Sequence, residues 1–499
     1  MKEKMTNEYM RKNWIYLLLV ACMLWSCGGN DEQGLLLESE ADLAGLRVAT
    51  QSGSCYDMEL SLRPDIELQR YNTLSDALQA LLHGNADVLL NDETALNAYV
   101  CREQGIKPIL RGDKAYPTSF MFPKEDKALA DAFTGTLKRL KEEGTYDQII
   151  DYWLNDRYID ADTFPYVPTP TTGQPIRVAC CCATAPLAFA SGNEWYGLEI
   201  DLLRQLAVDL NRPLDIRFYD VTAAIMALKT GKADLLSGGV FITPERQLEF
   251  SFGDPYYDFH GTYFALDPDS ENSKSGFAAR SKKALHKNLL TENRWRFITD
   301  GLQTTLIISF FAILFGSLLG IVVYRMGESR RRWVRSIASV YNGFIAGIPE
   351  LVLLLVLFYV VFAKSGLTAE VVAIIAFAMC FASGAADIYK TSLDAVPNGQ
   401  TEAGLALGFT PMQTFFNIVF PQAVKRGLPL YKSLCINILK ATSIVGYIAI
   451  QDLTRAGDLI RSRTFDALVP LLAVTILYFL LVWLLAALFN LATKKKKVL

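Results

Sequence analysis

The 499-residue sequence has no Gly-x4-Gly-Lys-Ser/Thr stretch, and so no phosphate loop on which to bind and hydrolyse a nucleoside triphosphate. It has no basic patch of the kind that grips nucleic acid. It also lacks a Thr-Val-Gly-Tyr-Gly filter and a signalling domain, which removes the plainest marks of a ligand-gated channel or a receptor. Nine cysteines are present without a framework. Cys22 and Cys27 fall in the N-terminal segment and Cys380 and Cys435 in apolar stretches, leaving Cys55, Cys101 and the run Cys180-Cys181-Cys182. Adjacent strand residues point to opposite faces, so the triplet cannot supply the paired ligands of a zinc site. Small buried residues are the expectation, with no metal and no cofactor; a disulfide from Cys55 to the triplet stays open.

What the sequence does have is apolar weight in one place. Hydrophobic residues make up 51% of the chain, and the excess falls almost entirely after Trp295. A chain of this length holds about three or four ordinary domains. The net charge of −3 averages soluble and membrane parts and says little about partners.

Residues 1–26 read as a targeting segment. Lys2, Lys4, Arg11 and Lys12 precede the apolar run Trp14 to Trp25, and Leu24-Trp25-Ser26-Cys27 is followed by polar residues. This resembles a bacterial lipoprotein signal with Cys27 as the lipidated residue; Cys22 is a second fit, and an uncleaved signal anchor the alternative. Either way the chain after about residue 30 is expected outside the membrane.

A short spacer (27–44) leads into two α/β halves, 45–157 and 175–266, separated by the Pro/Thr-rich segment 158–174. In the first, the strand from Arg47 enters the turn Gln51-Ser52-Gly53-Ser54. A helix with Leu74, Leu78 and Leu81 follows, then a strand ending at Asp92 and an amphipathic helix over Leu129 to Leu140. The second repeats strand, helix and strand around Tyr196-Gly197-Leu198-Glu199, then Ile242-Thr243-Pro244-Glu245-Arg246 and Phe250-Ser251-Phe252-Gly253.

At these residues the halves resemble the two lobes of a polar amino-acid solute-binding protein, a two-lobed type II α/β fold, but in swapped order. The Thr-Pro-Glu-Arg lobe comes second, as in a circular permutation. The resemblance implies that Arg246 clamps a ligand carboxylate, a role suited to its planar fork. It implies that Asp92 receives the ammonium, that Ser54 and the Gly53 to Cys55 backbone bond the ligand, and that Gly239 and Thr243 lie beside the carboxylate. The chain departs from the family at Phe241, in place of a hydroxyl residue, and at Thr184-Ala185-Pro186-Leu187, in place of an aromatic. Trp195 and Tyr196 offer a substitute aromatic wall or simple packing. The join implies one crossover between lobes, near Tyr116 to Pro123; pairing of the halves between two chains is the alternative.

A polar linker (267–295) precedes the apolar region 296–494, in which five segments approach bilayer length: Leu302–Tyr324, Ile348–Phe362, Leu367–Phe381, Ser433–Ile450 and Ala467–Leu491. Arg330 to Arg332, the loop from Lys390 to Arg426 and Lys494 to Lys497 then fall on the cytoplasmic side, while Arg455, Arg461 and Arg463 run against the rule outside. The motif Glu402-Ala403-Gly404 with Gly408, then Ile418 and Pro421, resembles the cytoplasmic coupling loop of the histidine/glutamine-type amino-acid ABC importer permeases, as do Gly347-Ile348-Pro349 and Val396-Pro397-Asn398-Gly399. That family implies an all-α, five-span domain in a bacterial inner membrane, multi-pass, with the binding lobes outside and the C-terminus inside. It also implies a separate ATP-binding subunit, and either a homodimer or a second permease chain. Lys440 sits in the fourth segment, a costly place for a charge, and Glu350 is the expected partner. The functional expectation is a non-enzymatic importer subunit for a polar amino acid; the alternative is an amino-acid-gated channel or sensory receptor.

Overall fold

The computed structural model describes residues 35–494 except 36, 156, 160–163, 192–193, 269 and 271–283. The signal segment, Cys22, Cys27 and Lys495 to Lys497 lie outside the described residues.

The first sheet begins with strands β1 (Arg47–Gln51), β2 (Glu67–Tyr71) and β3 (Val88–Asp92), all parallel. The apolar run of β3 is buried along its whole length, as a central parallel strand requires. Helix α1 (Cys55–Leu60) follows β1, and α2 (Leu74–Leu82) buries Leu74, Ala77, Leu78 and Leu81 on one face; its start is capped by Thr73, whose side chain accepts from Asp76 N. Helix α3 (Ala98–Gln104) leads into β4 (Ile106–Thr118).

The chain then crosses to a second sheet through β5 (Met121–Pro123). Helices α4 (Lys127–Glu142) and α5 (Thr145–Leu154) pack against α6 (Leu198–Leu210) of the second half. The second half supplies β6 (Ile176–Cys180), the hairpin β7 (Phe189–Ser191) and β8 (Glu194–Tyr196), β9 (Leu214–Phe218), α7 (Val221–Lys229), β10 (Leu235–Ser237), α8 (Pro244–Glu249), β11 (Phe250–Phe252) and β12 (Tyr257–Leu266). The sheet orders are β2-β1-β3-β12-β4 and β11-β5-β10-β6-β9.

The position of β12 corrects the expectation of a single crossover. It lies in the first sheet, antiparallel to both β3 and β4, so the chain crosses between lobes twice, at Ser119-Phe120 and again at Gly253 to Tyr256. Gly261 to Ala265 are buried consecutively, which a central strand position provides and an edge does not. Both halves belong to one chain here, so the structure needs no exchange between chains to complete either sheet.

The Pro/Thr segment is less free than its composition implied. Phe164 packs against Trp153, Phe189 and Tyr196, and the Arg204 guanidinium lies 4.3 Å from the centre of the Tyr166 ring. Residues 286–294, expected as plain linker, form two short turns with Asn288 and Arg294 buried.

The helical region comprises α9 (Trp295–Gly327), α10 (Arg332–Gly347), α11 (Glu350–Val356), α12 (Ala369–Asp394), α13 (Asn398–Ala406), α14 (Pro411–Thr414), α15 (Phe420–Ala441), α16 (Leu453–Thr464) and α17 (Leu468–Lys494). Among the described residues three helices, α9, α12 and α17, are long and apolar enough to cross a bilayer unbroken. The other two expected spans are bent pairs, 332–347 with 350–361 at 107° and 411–448 with 453–464 at 49°. The sharper bend falls at Ile348-Pro349, where proline withholds an amide and bars its predecessor from helical geometry.

Candidate ligand cleft and coupling surface

A cavity of about 110 Å³ lies between the lobes. Of the residues expected there, Arg246, Asp92, Ser54, Gly239 and Phe241 line it, and Thr243 does not. Thr243 is spent on local structure: its hydroxyl accepts from Arg246 N at 3.3 Å and starts α8. That cap aims the Arg246 side chain across the cleft. One Nη donates to Phe241 O at 3.1 Å and the other to Gly53 O in the opposite lobe at 3.0 Å. Both acceptors are neutral carbonyls, and no carboxylate pairs with Arg246 among the described residues.

Asp92 ends β3 and is buried. Its Oδ1 accepts from Ala95 N at 2.9 Å and from the Thr94 hydroxyl, while no cation pairs with it among the described residues. Burial pushes its carboxyl above the ordinary aspartate range, against the pull of those donors. Ser54 caps α1, accepting from Asp57 N at 3.1 Å.

Gly239 is held by a residue the sequence reading passed over. The buried Glu199, in the first turn of α6, accepts from Gly238 N at 2.6 Å, from Gly239 N at 2.8 Å and from the Tyr256 hydroxyl. Burial raises its pKa while these donors lower it, and the net direction is upward. Gly238 has φ +118°, and a Cβ there would fall 2.6 Å from Cys182 N, so only glycine fits this wall. The signal for Glu199 was an acid inside the apolar helix start Leu198-Glu199-Ile200.

Phe241, which costs the site a hydroxyl, supplies its aromatic surface instead. Its ring meets Tyr56 at 5.5 Å and Tyr116 at 5.4 Å between centroids. Tyr196 is packed against Phe164 and Phe189, and neither it nor Trp195 reaches the cavity. Cys181 and Cys182 line the cavity as free thiols, Cys55 is free too, and burial pushes Cys182 up to about 12.

Residues 398–420 form a helix-turn-helix on the surface. Gly408, at φ +86°, ends the first arm, and Thr410 caps the second with a reciprocal bond to Gln413. Gly404 faces the second arm so closely that a Cβ would lie 2.6 Å from Thr414 Cγ2 and 2.9 Å from Ile418 Cδ1. Glu402 and Ala403 are exposed, Pro421 is half-buried, and Leu407, Met412 and Phe416 present uncovered apolar side chains. The expected Lys440–Glu350 pair is not formed. Both residues are exposed and no ion pair joins them among the described residues. Glu350 instead occupies the first turn of α11, where the helix dipole favours an anion.

A two-lobed cleft joined to bent and straight apolar helices defines a membrane transport component with its own solute-binding domain. Residues 176–407 match the bacterial extracellular solute-binding proteins, family 3. The L-cystine transport system permease protein TcyB of Bacillus subtilis is 30% identical over 206 residues, 41% of this chain and 88% of the relative. The probable amino-acid ABC transporter permease protein YckA of the same organism is 28% identical over 203 residues, 40% of this chain and 88% of the relative. Among solved structures, an amino acid ABC transporter with histidines is 29% identical, covering 44% of this chain and 99% of that one, with a TM-score of 0.38. The chain belongs to the family of amino-acid ABC transporter permeases, here fused to a solute-binding domain. These are transport and binding families, not enzyme families.

Proposed function

We propose that this chain captures a polar amino acid in the interlobe cleft and passes it to its own membrane helices when a separate ATP-binding subunit, docked on the 398–420 helix-turn-helix, closes. The observation that carries the reading is one cavity lined by a buried carboxylate, Asp92, and a guanidinium, Arg246, which among the described residues have no cation and no carboxylate partner respectively. An α-amino acid carries the two complementary charges. Its ammonium would offset the burial that now favours neutral Asp92, and its carboxylate would accept the fork of Arg246.

A second cavity supports the delivery step. Its volume is about 550 Å³, it is lined by Val221, Thr222 and Met226 of α7 and by Val356, Tyr359 and Tyr447 of the membrane domain, and it shares Asn72, Asp220 and Val221 with the cleft. The uncovered Leu407, Met412 and Phe416 are the apolar anchor for the ATPase. In this reading Cys27 is lipidated, the lobes face outward, the C-terminus faces the cytoplasm of a bacterial inner membrane, and a second permease half, from a copy of this chain or another, completes the pathway. Glu402 and Ala403 with Gly404, Gly408, Ile418 and Pro421 form the coupling surface.

The test is calorimetric titration of the full chain in lipid nanodiscs with each common amino acid. Binding of one, weakened about 10- to 100-fold in Arg246→Ala and in Asp92→Asn, is the expected result. Equal affinity in the wild type and both variants would refute the assignment of these charges.

A further inference from the structure

The permease helix α16 does not lie on the membrane face of the binding domain as a passive floor. It runs along the seam between the two lobes, with adjacent stripes bonded to each. Toward the second-sheet lobe, Arg455 donates to Asp220 Oδ1 at 3.1 Å and to Phe218 O at 3.2 Å, and its guanidinium sits 4.1 Å from the Phe218 ring centre. One turn and two turns on, Leu459 joins Ala183 in one buried apolar cluster and Arg463 lies 4.1 Å from the Phe189 ring centre. Toward the first-sheet lobe, Arg461 donates to Asp76 Oδ1 at 2.7 Å, Gln79 Nε2 donates to Phe465 O at 2.9 Å, and Gln104 Nε2 donates to Thr464 O at 3.4 Å. Phe465 is buried in that lobe's apolar cluster. Between the stripes the buried Ser462 forms part of the cleft wall itself.

A helix bonded to both sides of a hinge cannot stay attached to both while they separate. We propose that α16 is a wedge that sets the separation of the lobes: the cleft opens fully only when the Arg461 or the Arg455 attachment lets go. The permease thereby contributes a residue, Ser462, to the ligand cavity and holds one coordinate of its closure. The three arginines that run against the positive-inside pattern have their explanation here, since Asp220, Asp76 and Glu292 neutralise them. The proposal rests on the two-lobe reading of the cleft but needs no bound ligand, so its failure would leave ligand capture standing.

The test is a distance measurement on the ligand-free full chain in lipid nanodiscs. Spin labels are placed on Leu62→Cys and Leu248→Cys, one on each lobe, at side chains 82% and 79% exposed. Singly labelled chains account for the native thiols. Pulsed electron resonance is expected to give one narrow distance for the wild-type background. In Asp76→Asn and in Asp220→Asn the population at longer distances should rise about two- to fivefold, the range that losing one partly exposed ion pair allows. Asp76→Glu, which keeps the charge, should stay near wild type. Should an asparagine variant not yield monodisperse protein, Arg461→Gln removes the charge from the permease side and reads the same coordinate. Distributions in the charge-removing variants that superimpose on wild type would overturn the proposal.

Discussion

Asp201 shows how a single buried side chain stores a pH response. Its Oδ2 accepts from the Trp153 indole at 2.7 Å and its Oδ1 faces Arg204 at 3.4 Å, yet burial outweighs both and raises the carboxyl to about 6. The folded chain therefore holds this proton more tightly than the unfolded chain, where the value is 3.8. The stability it contributes is complete below about pH 4 and is lost as pH rises through about 6, a difference on the order of 3 kcal/mol at most. Asp201→Asn keeps an acceptor for Trp153 and removes the titration. The melting midpoint of the binding domain, followed by tryptophan fluorescence, should fall less between pH 4.5 and 7 in the variant than in the wild type. Equal slopes would show that Asp201 does not titrate in this window. Burial raises Asp92 and Glu199 in the same direction.

Among the elements, the surface helix-turn-helix depends on close packing between its two arms at Gly404. Thr414 Cγ2 occupies the space that a methyl group on residue 404 would need. Gly404→Ala should push the two arms apart at a cost of about 1–3 kcal/mol. The expected outcome is about tenfold weaker binding of the ATP-binding subunit with unchanged affinity in the distant cleft. Adding Thr414→Ser, which deletes the nearest obstructing methyl and leaves Ile418 Cδ1 at 2.9 Å, should recover part of the loss. An unchanged affinity for the subunit in Gly404→Ala would mean that the close packing has no bearing on docking.

The same elements show what the sequence made legible and what it hid. Short apolar runs bounded by turns reveal β1, β3 and β6, and the spacing of Leu74, Leu78 and Leu81 reveals α2, because burial on one helix face leaves a periodic trace. Arg246, Asp92 and Phe241 were found through their motif surroundings. Thr243 was misplaced because a hydroxyl that caps a helix and one that faces a ligand look alike in a string. Strand β12 was assigned to the wrong lobe because apolar runs report burial and not which sheet provides it. The bends after Gly347 and near Ile448 were missed because hydropathy measures length and not direction. Arg455, Arg461 and Arg463 read as an anomaly because their partners Asp220, Asp76 and Glu292 lie at least 170 residues away along the chain.

For the molecule as a whole, the swapped order of the lobes changes what holds the binding domain together. Each sheet draws strands from both sides of the Pro/Thr segment: β1 to β4 close around β12, and β5 pairs with β10 and β11. Cutting the chain in that segment therefore severs a covalent link but no sheet, and the Trp153–Asp201 bond and the packing of Phe164 on Phe189 and Tyr196 add contacts across the cut. A protease site inserted after the exposed Thr172 should yield two fragments that stay together through gel filtration in detergent. If two differently tagged populations are cut, mixed and separated again, each fragment should remain with its original partner, because leaving would expose the unpaired edges of β3, β4 and β5 at once. Free exchange of tags would mean that the halves associate loosely enough to pair between chains. Retention would show that strand pairing alone holds the two halves together, as sheets that draw strands from both sides of the cut require.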